Sequence, residues 1–161
     1  MTKNFNFSTN LLLEAKKIIS KYPRPRSAIM PLLYLMQEEN DNWIPKEAMD
    51  FIAELLVIPP MWVYEVANFY TLYNKEPVGK YLVQVCRTTP CWLSGSNEIL
   101  ETCKKELQID LGETSEDRLF TLVEVECLGA CTAAPLVQIN EDYYEKLNKE
   151  KMKEIIQQLK K

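Results

Sequence analysis

The chain has 161 residues, of which 47% are hydrophobic, and it carries a formal net charge of −4 at pH 7 with a pI near 5.1. This length suits one domain, or a small domain with a helical extension. The negative charge argues against nucleic acid or an anionic membrane as a partner, because phosphate binding requires clustered Lys and Arg.

Histidine is absent from the chain, and only four glycines occur. The absence of histidine excludes Ser-His-Asp and Cys-His catalysis, His-ligated zinc or haem, and a Rieske-type cluster. The glycines are too dispersed to build a phosphate-binding loop, so we expect no motif for NAD, FMN or ATP in this chain. Its chemistry must therefore rest on the five cysteines.

The first eight residues have neither the apolar core of a signal peptide nor the Arg- and Ser-rich character of a transit peptide. No apolar run of 18 residues occurs anywhere. Together with the odd number of cysteines, these features favour a cytoplasmic location with reduced thiols over a secreted disulfide framework.

Residues 9–73 have the periodicity of helices separated by proline and by turn residues. We expect four helices, which begin near Thr9 or Asn10 as the cap, Ser27, Pro45 and Pro59-Pro60. The composition changes abruptly at residues 74–79, which we interpret as a linker. The predicted first part is therefore a small helical bundle.

The second half alternates strand and helix patterns. We expect strands at residues 81–85, 120–126 and 135–140, a hairpin partner at Tyr143-Tyr144, and helices at residues 94–109 and 148–160. The first two strands, joined through a helix, should run parallel and side by side. The predicted fold class is α+β: an N-terminal helical bundle (1–73), a linker (74–79) and a thioredoxin-like α/β domain (80–161).

Two cysteine pairs follow the first two predicted strands. Cys86 and Cys91 come directly after the first strand, Cys127 and Cys131 after the second, and 35 residues separate the pairs. Neighbouring strands lie about 4.8 Å apart, so both pairs should reach the same edge of the sheet. Four thiolates without another soft ligand suit Zn²⁺ or an iron-sulfur cluster.

The spacing leaves several interpretations of these cysteines open. Buried structural cysteines rarely cluster in two short segments after strands, and a thiol-disulfide oxidoreductase would favour Cys-x-x-Cys at the start of a helix. Spacers of four and three residues are compatible with structural zinc, but they also suit a loop around two iron atoms. The fifth cysteine, Cys103, lies on a predicted helix with apolar residues at helical spacing, so we place it in the core.

Two residues beside the first pair are of interest. Arg87 is expected to be solvated, to face a partner, or to balance cluster charge. Trp92 follows Cys91 directly, so it is the best candidate among the aromatic residues for a contact near the site.

The motifs of the whole chain resemble the thioredoxin-like [2Fe-2S] subunit family of respiratory complex I, which includes the E-type subunits of bacterial NADH-quinone oxidoreductase. The resemblance rests on Cys-x4-Cys and on a second motif, Glu126-Cys127-Leu128-Gly129-Ala130-Cys131. It extends to Ala134-Pro135 and Gln138-Ile139-Asn140, and in the helical part to Trp43-Ile44-Pro45 and Tyr64-Glu65-Val66-Ala67.

This resemblance implies a specific site and set of partners. Cys86, Cys91, Cys127 and Cys131 would ligate one [2Fe-2S] cluster, which would exchange single electrons with FMN, and no catalytic residue is expected in this chain. FMN and NADH would bind a partner flavoprotein subunit, beside other peripheral-arm subunits of complex I. The location would be cytoplasmic, on the inner face of the cell membrane through the complex. A related alternative is the diaphorase subunit of an NAD-linked hydrogenase or formate dehydrogenase.

Overall fold

Residues 8–161 are described in the computed structural model of this protein, and they form two units that divide between Pro77 and Val78. Residues 1–7, which make up nearly all of the N-terminal segment in which no targeting signal is expected, lie outside the described residues. From residue 8 onward, none of the helices combines the length and the apolar character that a membrane crossing requires.

The described part of the first unit is helical. Its α-helices are α1 (Thr9–Ser20), α2 (Ile29–Glu39), α3 (Lys46–Leu56) and α4 (Pro60–Phe69), and a 3₁₀ turn at Pro25–Ala28 precedes α2. The third and fourth helices begin after prolines, as predicted, because Pro45 and Pro59 hold an extended backbone just before the first turn.

The cap of the first helix differs from the prediction. Ser8 has an extended backbone, and its hydroxyl oxygen accepts a hydrogen bond from the N–H of Leu11 at 3.3 Å. Thr9 and Asn10 already lie within the helix. The helix therefore begins one residue earlier than a cap at Thr9 would place it, and two residues earlier than a cap at Asn10 would.

Polar contacts fix the segment that follows α4 in the first unit. The hydroxyl of Tyr73 donates to the carbonyl of Met30 at 2.9 Å. The amide of Gln37 donates to the carbonyl of Leu72 at 3.0 Å and accepts from the N–H of Asn74 at 2.7 Å. Since Tyr73 and Gln37 are both buried, these bonds satisfy polar groups that would otherwise be desolvated without partners.

The second unit, Val78–Lys161, contains a four-stranded mixed sheet. Its strands are β1 (Tyr81–Cys86), β2 (Phe120–Val125), β3 (Val137–Ile139) and β4 (Asp142–Tyr144), in the order β2-β1-β3-β4. The first two strands are parallel, and β3 is antiparallel to both of its neighbours. The helices are α5 (Thr89–Leu93), α6 (Ser96–Leu107) and α7 (Lys149–Leu159).

The connection between β1 and β2 contains one helix more than the sequence indicated. The helix expected at residues 94–109 is α6, which is shorter at both ends, and the short helix α5 before it was not predicted. Gly95, with φ +99°, lies between the two helices and directly precedes the first residue of α6. The expected strand at residues 135–140 is likewise shorter, because Pro135 lacks an N–H for the ladder and β3 begins only at Val137.

Both long helices of the second unit pack against its sheet. Buried residues of α6 and α7, among them Ile99, Cys103, Met152 and Ile156, join Val83 and Leu122 of the strands in one apolar core. Helices and a mixed sheet together confirm the α+β class. The core leaves the carboxyl ends of β1 and β2 free to carry the segments that contain the cysteine pairs.

Candidate metal centre

The register of β1 and β2 brings the two cysteine pairs to the same edge of the sheet. Cys86 is the last residue of β1 and lies opposite Val125, the last residue of β2. Cys127 follows only two residues later. The prediction of adjacent parallel strands is thus confirmed, and both cysteine segments leave the sheet at its carboxyl end.

The first pair is buried. Cys86 is 1% exposed and Cys91, which lies in α5, is 0% exposed, and both pack with Leu136 in a small apolar cluster. The hydroxyl of Thr88 lies 3.4 Å from the sulfur of Cys86. This pair is therefore shielded from water and keeps a hydroxyl in hydrogen-bonding distance of one sulfur.

The second pair is exposed and lies in a tight loop. The sulfurs of Cys127 and Cys131 are 3.7 Å apart, and the N–H of Gly129 donates to the sulfur of Cys127 at 3.4 Å. Gly129 has φ +82°, a conformation that an L side chain rarely adopts. The loop thus depends on glycine for its backbone path, and the N–H of this glycine faces the sulfur of Cys127.

The spacing of the second pair matches metal coordination rather than a disulfide. All five cysteines are free, and a disulfide would need about 2.05 Å between sulfurs. Two thiolates on one tetrahedral metal, each about 2.3 Å from it, lie about 3.8 Å apart. The observed 3.7 Å therefore suits two ligands of a single metal atom.

The surroundings of Cys86, Cys91 and Cys131 shift the pKa values of these thiols. Burial raises the pKa of Cys86, but hydrogen bonds from Thr88 and from the backbone N–H of Leu128 lower it below its ordinary value. Burial and the neighbouring Cys86 raise the pKa of Cys91 to about 11, and Cys127 raises the pKa of Cys131. Ionising both members of a pair is thus opposed by repulsion, which bound metal cations relieve.

The donors are grouped in twos. Within residues 8–161, no three His, Cys, Asp or Glu side chains converge closely enough to hold a single metal ion. A [2Fe-2S] cluster uses four cysteine thiolates shared between two irons. Two separate pairs at one edge of a sheet have this grouping, so the residues present fit such a cluster.

Two contacts around these pairs were not predicted from the sequence. Arg87 pairs with Glu126, whose carboxylate oxygen lies 2.6 Å from one guanidinium nitrogen. The hydroxyl of Tyr143 donates to the carbonyl of Leu128 at 3.0 Å. No periodicity or motif marks these contacts, because each depends on a backbone path that only the folded chain adopts.

The fifth cysteine lies where it was expected. Cys103 is fully buried in the core of the second unit, and burial raises the pKa of its thiol to about 12. The thiol of Cys103 therefore stays protonated in the core. Trp92, directly after Cys91, is 55% exposed, and its expected contact near the site stays a prediction.

Comparison with known proteins gives a consistent result over nearly the full chain. The family model described as thioredoxin-like [2Fe-2S] ferredoxin matches residues 15–160. The E-type subunit of NADH-quinone oxidoreductase from Rickettsia felis is 54% identical over 158 residues, which cover 97% of this chain and 95% of that protein. The mitochondrial NADH dehydrogenase [ubiquinone] flavoprotein 2 of Dictyostelium discoideum is 49% identical over 97% of this chain and 64% of its own length.

A solved structure supports the fold. A chain in the crystal structure of an NAD+-reducing [NiFe]-hydrogenase in the H2-reduced state superposes with a TM-score of 0.68 at 17% identity. The match covers 80% of this chain and only 22% of that much longer chain. At this identity the similarity establishes a shared fold and nothing about the activity of the hydrogenase.

Proposed function

We propose that this chain, which belongs to the thioredoxin-like [2Fe-2S] ferredoxin family, is an electron-carrying subunit of NADH-quinone oxidoreductase. Its [2Fe-2S] cluster exchanges single electrons with the FMN of a partner flavoprotein subunit. Full-length relatives named as the E-type subunit of that enzyme, at 53% to 54% identity, support this assignment. The family resemblance drawn from the cysteine motifs is thereby confirmed.

The proposed ligands are Cys86, Cys91, Cys127 and Cys131. The observation that carries the proposal is the register in which Cys86 lies opposite Val125, so that both pairs leave parallel strands at one edge. The cluster supplies a site that accepts and releases one electron. The protein holds it between a buried pair and an exposed pair, and the exposed side gives a partner access to it.

Oxidoreductase activity belongs to the assembled complex rather than to this chain alone. We infer that NADH and FMN bind the partner flavoprotein subunit, and that this chain contributes electron storage or transfer beside it. In this proposal the protein is cytoplasmic and reaches the inner face of the cell membrane through the other peripheral-arm subunits. The homologous subunits of NADH-quinone oxidoreductase support this placement in an enzyme complex.

We also infer the finer architecture expected from the sequence. Residues 1–73 would form a helical bundle, residues 74–79 a linker and residues 80–161 a thioredoxin-like domain. The succession of α1 to α4 before residue 77, and of the mixed sheet after residue 78, supports this division.

The decisive experiment is metal analysis and spectroscopy of the full chain purified without oxygen. We expect equal amounts of iron and acid-labile sulfide, visible absorption, and an electron paramagnetic resonance signal that appears on one-electron reduction. A colourless protein that contains zinc and no iron would overturn the proposal in favour of a zinc-stabilised interaction module. A chain that holds no metal and reduces insulin disulfides would instead indicate a thiol-disulfide oxidoreductase.

A set of cysteine variants tests the ligands. Each single replacement by serine should reduce the iron content or change the spectrum of the cluster. The four positions are Cys86, Cys91, Cys127 and Cys131. Cys103→Ser is the matched control, because Cys103 lies in the core and not at the candidate site. An unchanged spectrum and iron content in any of the four variants would remove that residue from the ligand set.

Electron exchange with flavin requires the partner. In a mixture with a flavoprotein subunit that carries FMN, NADH should reduce the cluster on the time scale of flavin reduction. With NADH alone the cluster should stay oxidised. Reduction by NADH without the flavoprotein would contradict the proposed division of roles.

A further inference from the structure

A hydrogen bond joins the β4 strand to the loop of the second cysteine pair. The hydroxyl of Tyr143 donates to the carbonyl oxygen of Leu128 at 3.0 Å. Tyr143 lies in β4 at the edge of the sheet, 15 residues from Leu128 in sequence. The contact is therefore tertiary, and no turn or helix requires it.

The same peptide group that accepts this bond also donates one to a sulfur. The carbonyl of Leu128 and the N–H of Gly129 belong to one amide, and that N–H donates to the sulfur of Cys127 at 3.4 Å. A continuous series of bonds thus runs from the Tyr143 hydroxyl through this amide to Cys127. A hydrogen bond accepted at the oxygen of an amide polarises it and strengthens the bond that its N–H donates.

The orientation of this amide is fixed from other directions as well. The side chain of Leu128 packs against the buried cluster of Cys86, Cys91 and Leu136. On the other side, Gly129 holds the left-handed φ of +82° while its N–H donates to Cys127. Since the amide is held on both sides, the tyrosine acts on an N–H group already aimed at the sulfur.

We infer that Tyr143 is a positioning residue that raises the reduction potential of the cluster, by polarising the Leu128–Gly129 amide that donates to Cys127. The inference rests on the proposed function, because it takes Cys127 as a ligand. The reduced cluster carries one more negative charge than the oxidised cluster. A stronger N–H donor to its thiolate therefore favours the reduced form.

The test uses the full chain with its cluster and two variants that each remove one phenolic oxygen. Tyr143→Phe removes the hydroxyl that contacts Leu128, whereas Tyr144→Phe removes that of the next residue, whose side chain packs against the core of the second unit. In a redox titration followed by electron paramagnetic resonance, Tyr143→Phe should have a lower midpoint potential than the native chain. Tyr144→Phe should match the native chain. An unchanged midpoint in Tyr143→Phe, with the cluster intact, would overturn the inference.

A second variant separates polarisation from simple support of the loop. Site-specific 3-fluorotyrosine at position 143 keeps the bond and makes the hydroxyl a stronger donor at neutral pH. Its midpoint should shift above that of the native chain, opposite in sign to the shift of Tyr143→Phe. A shift in the same direction, or no shift, would overturn the inference. If Tyr143→Phe does not retain its cluster, the fluorotyrosine variant by itself decides the test. A native chain without iron would overturn the proposed function itself, so the two failures are distinguishable.

Discussion

Arg87 and Glu126 form an ion pair across the carboxyl ends of β1 and β2. The Nε and Nη2 atoms of Arg87 lie 3.0 Å and 2.6 Å from the same oxygen of Glu126. Arg87 directly follows Cys86, and Glu126 directly precedes Cys127. The pair thus joins the two segments that carry the proposed ligands, and it sets a positive charge against a negative one beside the site.

Neutralising either member of this pair should shift the midpoint potential of the cluster, and the two shifts should have opposite signs. Glu126→Gln leaves the charge of Arg87 unopposed and should raise the midpoint, because a nearby cation favours the more negative reduced cluster. Arg87→Gln leaves the carboxylate and should lower it. A redox titration measures both, and the double variant should lie near the native value.

The size of these shifts should depend on salt. Both side chains are more than half exposed, so their charges are screened by dissolved ions. The shifts should therefore shrink as ionic strength rises, with little change in melting temperature. Shifts of the same sign in the two single variants would show that the pair acts through loop geometry and not through charge.

Gly79→Ala should destabilise the second unit. A Cβ at this position would lie 2.7 Å from the carbonyl carbon and 2.8 Å from the backbone nitrogen of Phe120, at the start of β2. Backbone atoms cannot move aside without shifting the strand, and overpacking of this kind costs about 1–3 kcal/mol. Urea unfolding of the apo chain measures the loss.

Gly112→Ala provides the comparison for this variant. Gly112 has φ +82°, and nothing lies within 4 Å of a Cβ built there. Gly112→Ala should lower the free energy of unfolding only by the strain of a left-handed backbone at alanine, about 1 kcal/mol. Equal losses for Gly79→Ala and Gly112→Ala would mean that β2 adjusts to the added methyl group.

Cys103→Ser should lower the free energy of unfolding by about 1–3 kcal/mol while leaving the cluster spectrum unchanged. Cys103 is fully buried among apolar residues of α6, α7 and the sheet, where a hydroxyl replaces a thiol that desolvates easily. Chemical denaturation and visible absorption of the same sample measure the two effects. Loss of the cluster at unchanged stability would place Cys103 in the site instead of the core.

The first unit should lose stability at alkaline pH through Tyr73. Burial, with a smaller contribution from Tyr70, raises the pKa of Tyr73 from about 10 to about 12. Between these values the unfolded chain releases the phenolic proton before the folded chain does, so folding becomes less favourable as pH rises. Stability is unaffected by this group below pH 10 and falls above it.

Tyr73→Phe separates the contribution of Tyr73 from that of the lysine side chains, which also lose their protons above about pH 10. At neutral pH the variant should be less stable by about 1 kcal/mol, because the hydrogen bond to the carbonyl of Met30 is lost. Above pH 10 the native chain should lose more stability than the variant, so the difference narrows. Urea unfolding below and above pH 10 measures this difference in the free energy of unfolding. A difference that stays constant with pH would contradict the raised pKa of Tyr73.

The sequence was most informative where a local pattern decides the outcome. Prolines 45 and 59 mark the starts of α3 and α4, and the apolar runs before Cys86 and Cys127 predict the parallel strands. It was less informative where backbone freedom or tertiary contacts decide. The short helix α5, which carries Cys91, was not predicted, and Gly95 separates it from the predicted helix α6.

The contacts around the cysteines show the same limit. Glu126 and Arg87 are 39 residues apart in sequence, and Tyr143 reaches Leu128 from a strand on the opposite edge of the sheet from β2. Cysteine spacing predicts the proposed ligands, but nothing in it predicts the groups that surround them. Those groups become evident only once the order β2-β1-β3-β4 is known.

The parallel pairing of β1 with β2 has a consequence for biosynthesis. Cys86 and Cys91 leave the ribosome well before Cys127 and Cys131, and the crossover through α6 must be complete before β2 can align beside β1. Until that moment the nascent chain offers only half of a binding site. Iron and sulfide delivered before then would meet only one dithiol, because the complete set of proposed ligands exists only after Cys131 has been added to the chain.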